Sequence, residues 1–174
     1  MISDEIGADT LPVAFVATLL ITAAIVGIAA TGLGSVSPAI DAGSADVQAE
    51  ALATDCRALL ACAPRCLEDP GSPAGATKIA ELSLPGSTEF FGLGTDAAGE
   101  EGSEGVIYYS VAGSKKAVVV DSGVSFRSRG DGSLSSVLKA EHVVLRGGRY
   151  VLEIEYACDG IGNRYLLVGQ AGYR

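Results

Sequence analysis

Histidine, methionine, tryptophan and aromatic residues in general are scarce in this chain of 174 residues. It contains one histidine, His142, one methionine, Met1, and no tryptophan, and aromatic residues make up 6% of it. One histidine leaves little material for a histidine-based metal centre or for catalysis that depends on a histidine base. We therefore expect no enzymatic activity, no metal site and no bound cofactor.

Basic residues are also few. The chain has 12 lysines and arginines against 21 aspartates and glutamates, which gives a formal net charge of −9. An excess of negative charge repels the phosphate backbone of nucleic acids, and proteins that bind this backbone by charge need a basic face. The composition therefore argues against nucleic acid as a partner.

Charge is absent altogether from one long segment. No charged residue lies between Asp9 and Asp41, and Ala, Val, Ile and Leu dominate residues 11–33. As a helix rising about 1.5 Å per residue, this stretch would span the ~30 Å hydrocarbon core of a membrane. Pro12 suits the first turn of such a helix, because the N–H that it lacks has no partner there. We expect a transmembrane or assembly helix over residues 8–33.

Three interpretations of this segment compete. A secretory signal peptide needs a basic segment before a short apolar run, and residues 1–7 contain neither Lys nor Arg. An uncleaved membrane anchor fits the length of the run. In the third interpretation a leader is cut ahead of the helix, so that the helix is retained for assembly.

The junction between leader and helix has a recognisable form. Glu5-Ile6-Gly7 ends a short hydrophilic leader, and Ala8-Asp9-Thr10-Leu11-Pro12-Val13 opens the apolar run. In this respect the chain resembles archaeal type IV pilin-like proteins, whose class III signal peptides end in a small residue ahead of an uninterrupted apolar helix. The resemblance implies cleavage between Gly7 and Ala8 by a prepilin-type peptidase, which would remove the leader, residues 1–7.

Small residues near the end of the apolar run favour helix packing. Helices approach one another closely where side chains are small, and four small residues lie close together here: Gly27, Ala29, Ala30 and Gly32. We expect them where this helix meets the helices of other pilin-like subunits, in a homo- or hetero-oligomer.

A helical extension is predicted over residues 34–66. The stretch from Gly34 to Pro38 predicts a kink or break, and Pro64 predicts the end of the helix. Between them apolar residues recur at steps of three, four and seven, which is typical of an amphipathic helix. These apolar positions are Ile40, Val47, Ala51, Leu52, Cys56, Leu59, Leu60 and Ala63.

Four cysteines follow the apolar run. Cys56, Cys62 and Cys66 lie near the end of the helical extension, and Cys158 lies far downstream. Their spacing does not match the common zinc pairs and no histidine accompanies them, whereas an oxidising extracytoplasmic space favours disulfides. Three connectivities are open. We expect one local bridge within the cluster and one long bridge to Cys158.

Residues 67–174 are predicted to form an extracytoplasmic β-rich domain. Short apolar segments joined by Gly-containing turns are typical of an antiparallel meander or small sandwich. In Tyr150–Tyr156 large side chains alternate with Glu153 and Glu155, so we expect both glutamates to face water. The predicted strands are Lys78–Leu84, Val106–Val111, Lys116–Val120, Val124–Arg127, His142–Leu145, Tyr150–Tyr156 and Tyr165–Val168.

Three short motifs of this region are also similar to archaeal pilin-like head domains. They are Leu84-Pro85-Gly86, Gly105-Val106-Ile107-Tyr108-Tyr109 and the hairpin from Val118 to Phe126-Arg127. With the residue patterns, the resemblance predicts an α+β fold class. A long N-terminal hydrophobic helix would be followed by an antiparallel β-sheet or sandwich head domain.

The remaining polar motifs give little chemistry. His142 opens a predicted strand, where a lone histidine is more often structural than catalytic. Gly92-Leu93-Gly94 lacks the third glycine of a dinucleotide-binding turn, and Arg129-Gly130-Asp131 predicts a hairpin turn. The acidic stretch from Glu89 to Glu104 is expected to be a solvated loop, because its spacing fits no EF-hand. Its conceivable calcium ligands are Asp96, Glu100, Glu101 and Glu104.

Two functions remain open. The first is a structural subunit, major or minor, of an archaeal type IV pilus-like cell-surface filament that assembles through the N-terminal helix. The second is a monomeric, single-pass membrane-anchored β-domain that binds a ligand or an envelope component. Both predict a membrane-anchored protein with an extracytoplasmic domain at the cell surface.

Overall fold

A computed structural model describes residues 7–69, 71–96 and 104–173. Side chains are described within these ranges except at 7–14, 30–36 and 171–173. The chain divides into two compact units, Met1–Ala39 and Ile40–Arg174. Six of the seven predicted leader residues, 1–6, lie outside the described residues.

The first element is helix α1, Gly7–Leu60. Its first two residues are Gly7 and Ala8, the predicted cleavage pair. The predicted break between Gly34 and Pro38 is not present in the backbone, which is helical throughout this stretch. Proline in a helix removes one hydrogen bond and clashes with the preceding turn, at a cost of about 3 kcal/mol, but alanines that favour helix follow it on the C-terminal side.

The predicted membrane helix is contradicted. In the described part of the chain, no helix is both long and apolar enough to cross a membrane. The fold class with a long N-terminal hydrophobic helix is therefore wrong. So is the localisation, a membrane anchor that holds an extracytoplasmic domain at the cell surface.

The second unit is mostly β-structure, so the chain is a mixed α+β protein dominated by a β-rich domain. Its elements are β1 (Arg65–Cys66), β2 (Thr77–Leu84), β3 (Thr88–Leu93), β4 (Val106–Val111), β5 (Ser114–Val119), β6 (Val124–Ser128), α2 (Leu134–Lys139), β7 (Val143–Leu145), β8 (Gly148–Cys158) and β9 (Arg164–Tyr173). The described strands form two sheets. The first has the order β1-β8-β9-β6, with β2 also paired to β8, and the second has the order β5-β4-β3-β7.

The prediction that the strands are all antiparallel is also wrong. In the first sheet β1 pairs with β8 and β6 pairs with β9 in parallel, while β2 and β9 are antiparallel to β8. Gly-containing turns indicate hairpins between neighbours in sequence, but they do not report pairings between distant segments. Both parallel pairs join strands that are far apart in the chain, so turn signals could not reveal them.

One face of α1 lies in the core of the second unit. Ala45, Ala49, Leu52, Cys56 and Leu59 are buried at steps of four and three, which place them on one face of the helix. The predicted stripe is correct at the last three of these positions. Four other members of that stripe are exposed, Ile40, Val47, Ala51 and Ala63.

Small alanines on this face allow α1 to pack closely against large side chains from both sheets. The same apolar cluster includes Phe91, Ile107, Leu152, Ile154 and Leu166. Burying such side chains contributes roughly 25 cal/mol for each Å² of apolar surface removed from water. Packing against both sheets thus gives the second unit its stability.

Candidate functional site

His142 lies beside a cation rather than a nucleophile. Its ring nitrogens are 3.3 and 3.5 Å from Nη1 of Arg127. A shallow cleft is lined by His142 together with Ser128 and Ser136, but no hydrogen bond joins His142 to a serine within the described ranges. Because a serine nucleophile needs a base within hydrogen-bonding reach, this arrangement does not support hydrolysis.

Glu104, one of the conceivable calcium ligands, is held by neighbouring side chains. The Ser125 hydroxyl donates to one carboxylate oxygen, and Nη2 of Arg127 lies 2.7 Å from the other. The hydrogen bond from Ser125, with a smaller effect of Arg127, lowers the pKa of Glu104 despite its partial burial. Among the side chains that the structure describes, no three His, Cys, Asp or Glu could hold a metal ion together. Glu100 and Glu101 lie outside the described residues.

Structural roles account for two of the predicted motifs, Gly92-Leu93-Gly94 and Arg129-Gly130-Asp131. Gly92 lies within β3, opposite Tyr108 on one side and Val144 on the other, so it belongs to a paired strand and not to a phosphate-binding loop. In the tripeptide that ends at Asp131, Arg129 pairs with Glu153 at 2.7 Å. The Asp131 carboxylate accepts hydrogen bonds from the backbone and hydroxyl of Ser133, so both charged side chains are engaged within the chain.

A buried ion pair is the polar feature that the sequence did not reveal. Glu155 is only 3% exposed, and Arg65 contacts both of its oxygens, at 2.6 and 3.3 Å. Arg129 lies 3.7 Å from the same carboxylate. The two arginines cover a face of β8 that was expected to meet water. Their charges offset the cost of burying a carboxylate.

The four cysteines occupy different environments. Cys56 is buried in the core and Cys62 is exposed, while Cys66 and Cys158 are half-buried and lie opposite each other where β1 pairs with β8. All four are free thiols. The predicted pairing of one local and one long disulfide stays a prediction.

Among the side chains that the structure describes, the largest group of exposed apolar residues lies on α1 in the first unit. We call it the apolar surface: Phe15, Val16, Leu19, Leu20, Ile21, Ile25, Val26 and Ile28. Each is between 54% and 72% exposed. Successive residues of a helix are 100° apart, so these positions surround the helix on every side instead of forming one stripe.

Two of the four predicted packing residues belong to this stretch and can be placed. Gly27 and Ala29 are exposed, and a Cβ added at Gly27 would meet no other atom within 4 Å. Ala30 and Gly32 lie where the structure describes no side chains. The described residues thus leave space around α1 at Gly27 for a neighbouring molecule.

Comparison with known proteins adds no relationship. No family model matches this chain, and neither the curated proteins nor the solved structures include a significant match. Function is therefore inferred from the apolar surface and from the residue patterns of the N-terminal segment.

Proposed function

We propose that this chain is a structural subunit of a pilus-like filament of the archaeal type IV kind, in which copies associate through α1. The observation that carries the proposal is the apolar surface, eight large side chains that are more than half exposed. Exposed apolar patches of this kind mark interaction sites, because removing them from water is favourable.

The distribution of these side chains favours several partners over one. A helix with a single apolar stripe is covered by one groove or one neighbour. Phe15, Val16 and Ile21 point in different directions around α1, since at 100° per residue each lies at least 100° from the other two. Copies packed around one another would cover all sides of each helix, as in a filament, whereas a single docking partner would leave most of them in water.

The small residues allow the close approach that such packing needs. Gly27 and Ala29 bring little side-chain bulk to the apolar surface, so that a neighbouring helix can lie close to the backbone there. The proposal includes processing by a prepilin-type peptidase between Gly7 and Ala8, which would leave α1 at the N-terminus of the mature subunit.

Assembly is tested by comparing two charge substitutions in the purified chain. Leu20→Glu places a charge on the apolar surface, and we expect it to abolish filaments that the unaltered chain forms in electron micrographs. The matched control is Ile161→Glu, which puts the same charge at a residue of the second unit that is 85% exposed and should leave filaments unchanged. Filaments that persist in L20E, or a chain that stays monomeric at every concentration, would contradict the proposal.

A second pair of variants tests close helix packing. Gly27→Leu and Gly43→Leu lie on the same helix, and at both positions a Cβ meets nothing within 4 Å. Each change removes a helix-disfavouring glycine, so neither should unfold the protein. We expect G27L to reduce the sedimentable fraction at least tenfold and G43L to leave it unchanged. Equal sedimentation of both variants would exclude packing at Gly27.

Cleavage of the leader is tested by a separate measurement. Mass spectrometry of the chain from cells that contain a prepilin-type peptidase should give a mature N-terminus at Ala8. An intact Met1 together with an absence of filaments would count against the whole proposal.

A further inference from the structure

Two of the four thiols are adjacent across a pair of strands. Cys66 ends β1, and it lies directly opposite Cys158 in the parallel pairing with β8. Just beyond this pair, the backbone N–H of Leu67 donates a hydrogen bond of 2.8 Å to the carbonyl oxygen of Cys158. Ser72 accepts a hydrogen bond from the Cys66 backbone N–H, at 3.0 Å, so the position of this cysteine is fixed from both sides.

This placement is compatible with the Cα separation of a disulfide. Neighbouring strands lie about 4.7–4.9 Å apart, and the Cα atoms of disulfide-bonded cysteines are usually about 4.4–6.8 Å apart. The pKa of the Cys158 thiol is raised, first by burial and then by the neighbouring Cys66 thiol.

The other two thiols are not placed for pairing. Cys56 is fully buried in the core between α1 and the sheets, and burial raises its pKa to about 12. Cys62 is exposed, and its Sγ lies 3.5 Å from the carbonyl oxygen of Ala58, one helical turn earlier. A thiol in the core cannot meet an oxidant unless the domain opens.

We propose that Cys66 and Cys158 form a two-electron oxidation site that closes to an intramolecular disulfide, while Cys56 and Cys62 remain thiols. The oxidant is a low-molecular-weight disulfide. The thiolate of one cysteine attacks it, forming a mixed disulfide and releasing one thiol. The second cysteine, as its thiolate, attacks the mixed disulfide and releases the second thiol. Two cysteine protons and two electrons thus pass to the oxidant, which leaves as two thiols.

The bond would fasten a short strand to a long one. β1 has only two residues and follows closely after the end of α1, so its pairing with β8 is short. A covalent link between residues 66 and 158 closes a long loop and so restricts the unfolded chain. We expect oxidation to raise the melting temperature by roughly 5–15 °C.

Trypsin provides a direct assignment of the bridge. It separates the four cysteines into four peptides, residues 1–57, 58–65, 66–78 and 150–164, because Arg57 and Arg65 lie between the clustered cysteines. The folded chain is equilibrated with oxidised and reduced glutathione, quenched with acid, alkylated and digested. The expected product is the linked pair of peptides 66–78 and 150–164, with peptides 1–57 and 58–65 alkylated as free thiols.

Single variants supply the controls. Cys62→Ser should keep both the linked peptides and the rise in melting temperature on oxidation, whereas Cys66→Ser should lose both. Since Cys66→Ser could disturb folding, the unaltered chain is also compared before and after dithiothreitol treatment, with circular dichroism as the check on its fold. A different linked pair, or four alkylated peptides after oxidation of the folded chain, would overturn the proposal.

Discussion

The phenol of Tyr109 donates a hydrogen bond to the Asp46 carboxylate at 2.9 Å, which joins strand β4 to helix α1. Lys116 of β5 pairs with the other oxygen of the same carboxylate. The hydrogen bond from Lys116, followed by the one from Tyr109, lowers the pKa of Asp46 although partial burial opposes this. One carboxylate thus fastens the core-facing part of α1 to two strands of the second sheet.

Removing this hydroxyl should weaken the second unit. Tyr109→Phe keeps the ring, which stacks on Phe91 with centroids 5.9 Å apart, but removes the hydrogen bond. We expect a loss of about 1 kcal/mol in the free energy of unfolding, measured by urea denaturation at pH 7. An unchanged urea denaturation midpoint would contradict this prediction, because it would show that the hydrogen bond adds nothing to stability.

The same carboxylate predicts a pH dependence. The pKa of Asp46 is lowered in the folded chain from its usual value of 3.8, so its contribution is fully present above about pH 4 and is lost as the pH falls through the folded pKa. Asp46→Asn should therefore cost up to ~1 kcal/mol at pH 7, since the pair is partly exposed. At a pH below the folded pKa, the variant and the unaltered chain should have similar unfolding free energies. A pH-independent difference would contradict this.

The ion pair of Glu155 predicts unequal effects of two arginines. Arg65→Met leaves a buried carboxylate with one distant partner, and we expect it to cost roughly 3 kcal/mol of unfolding free energy. Arg129→Met is the matched control, because Arg129 is more exposed and lies farther from Glu155; it should cost less than ~1 kcal/mol. Thermal or urea denaturation measures the unfolding free energy of both variants. An equal loss in the two would refute the assignment of Arg65 as the main partner of Glu155.

Gly105 is predicted to be irreplaceable for steric reasons. A Cβ there would lie 1.7 Å from the carbonyl oxygen of Asp121, whereas at the exposed Gly86 it would meet nothing within 4 Å. Gly105 O also accepts a hydrogen bond from Val120 N, at 2.9 Å. Gly105→Ala should destabilise the chain by about 3 kcal/mol or more, and Gly86→Ala by less than ~1 kcal/mol. Denaturation midpoints of the two variants decide this.

Thiol labelling should separate the cysteine within α1 from the one just beyond its C-terminal end. Burial, followed by the neighbouring Asp55, raises the pKa of Cys56 to about 12, whereas Cys62 is exposed. At pH 8 we expect N-ethylmaleimide to modify Cys62 at least ~100-fold faster, because only thiolates react and Cys56 is enclosed. Denaturation in guanidinium should remove the difference; comparable rates in the folded chain would show that Cys56 is accessible.

Strands were largely predictable from the sequence, and their pairings were not. The predicted strand Val106–Val111 has the bounds of β4, because turn residues flank a short apolar run there. Strand β3 was missed, since Glu89 and the acids after it indicate a solvated loop. The Glu89 carboxylate instead accepts hydrogen bonds from Ser110 and Gly113, at 2.7 and 2.9 Å, while Phe91 lies in the core.

Contacts between distant parts of the chain account for the other differences between the sequence predictions and the structure. The alternation of β8 correctly predicts the burial of Leu152 and Ile154 but places Glu155 in water. Arg65 covers it, and this arginine belongs to a strand almost a hundred residues earlier, which local pattern cannot foresee. The adjacency of Cys66 and Cys158 has the same origin, because the sequence alone left three connectivities open. The parallel pairing of β1 with β8 places these two cysteines opposite each other.

The central claim is that copies of this chain contact one another through the apolar surface. It is tested most directly by a helical reconstruction, from electron micrographs, of the filaments that the purified chain forms. We expect residues 15–29 of adjacent copies to be in contact, with Gly27 at a close approach between helices. Filaments whose contacts lie within residues 40–174 and leave residues 15–29 in water would contradict this claim.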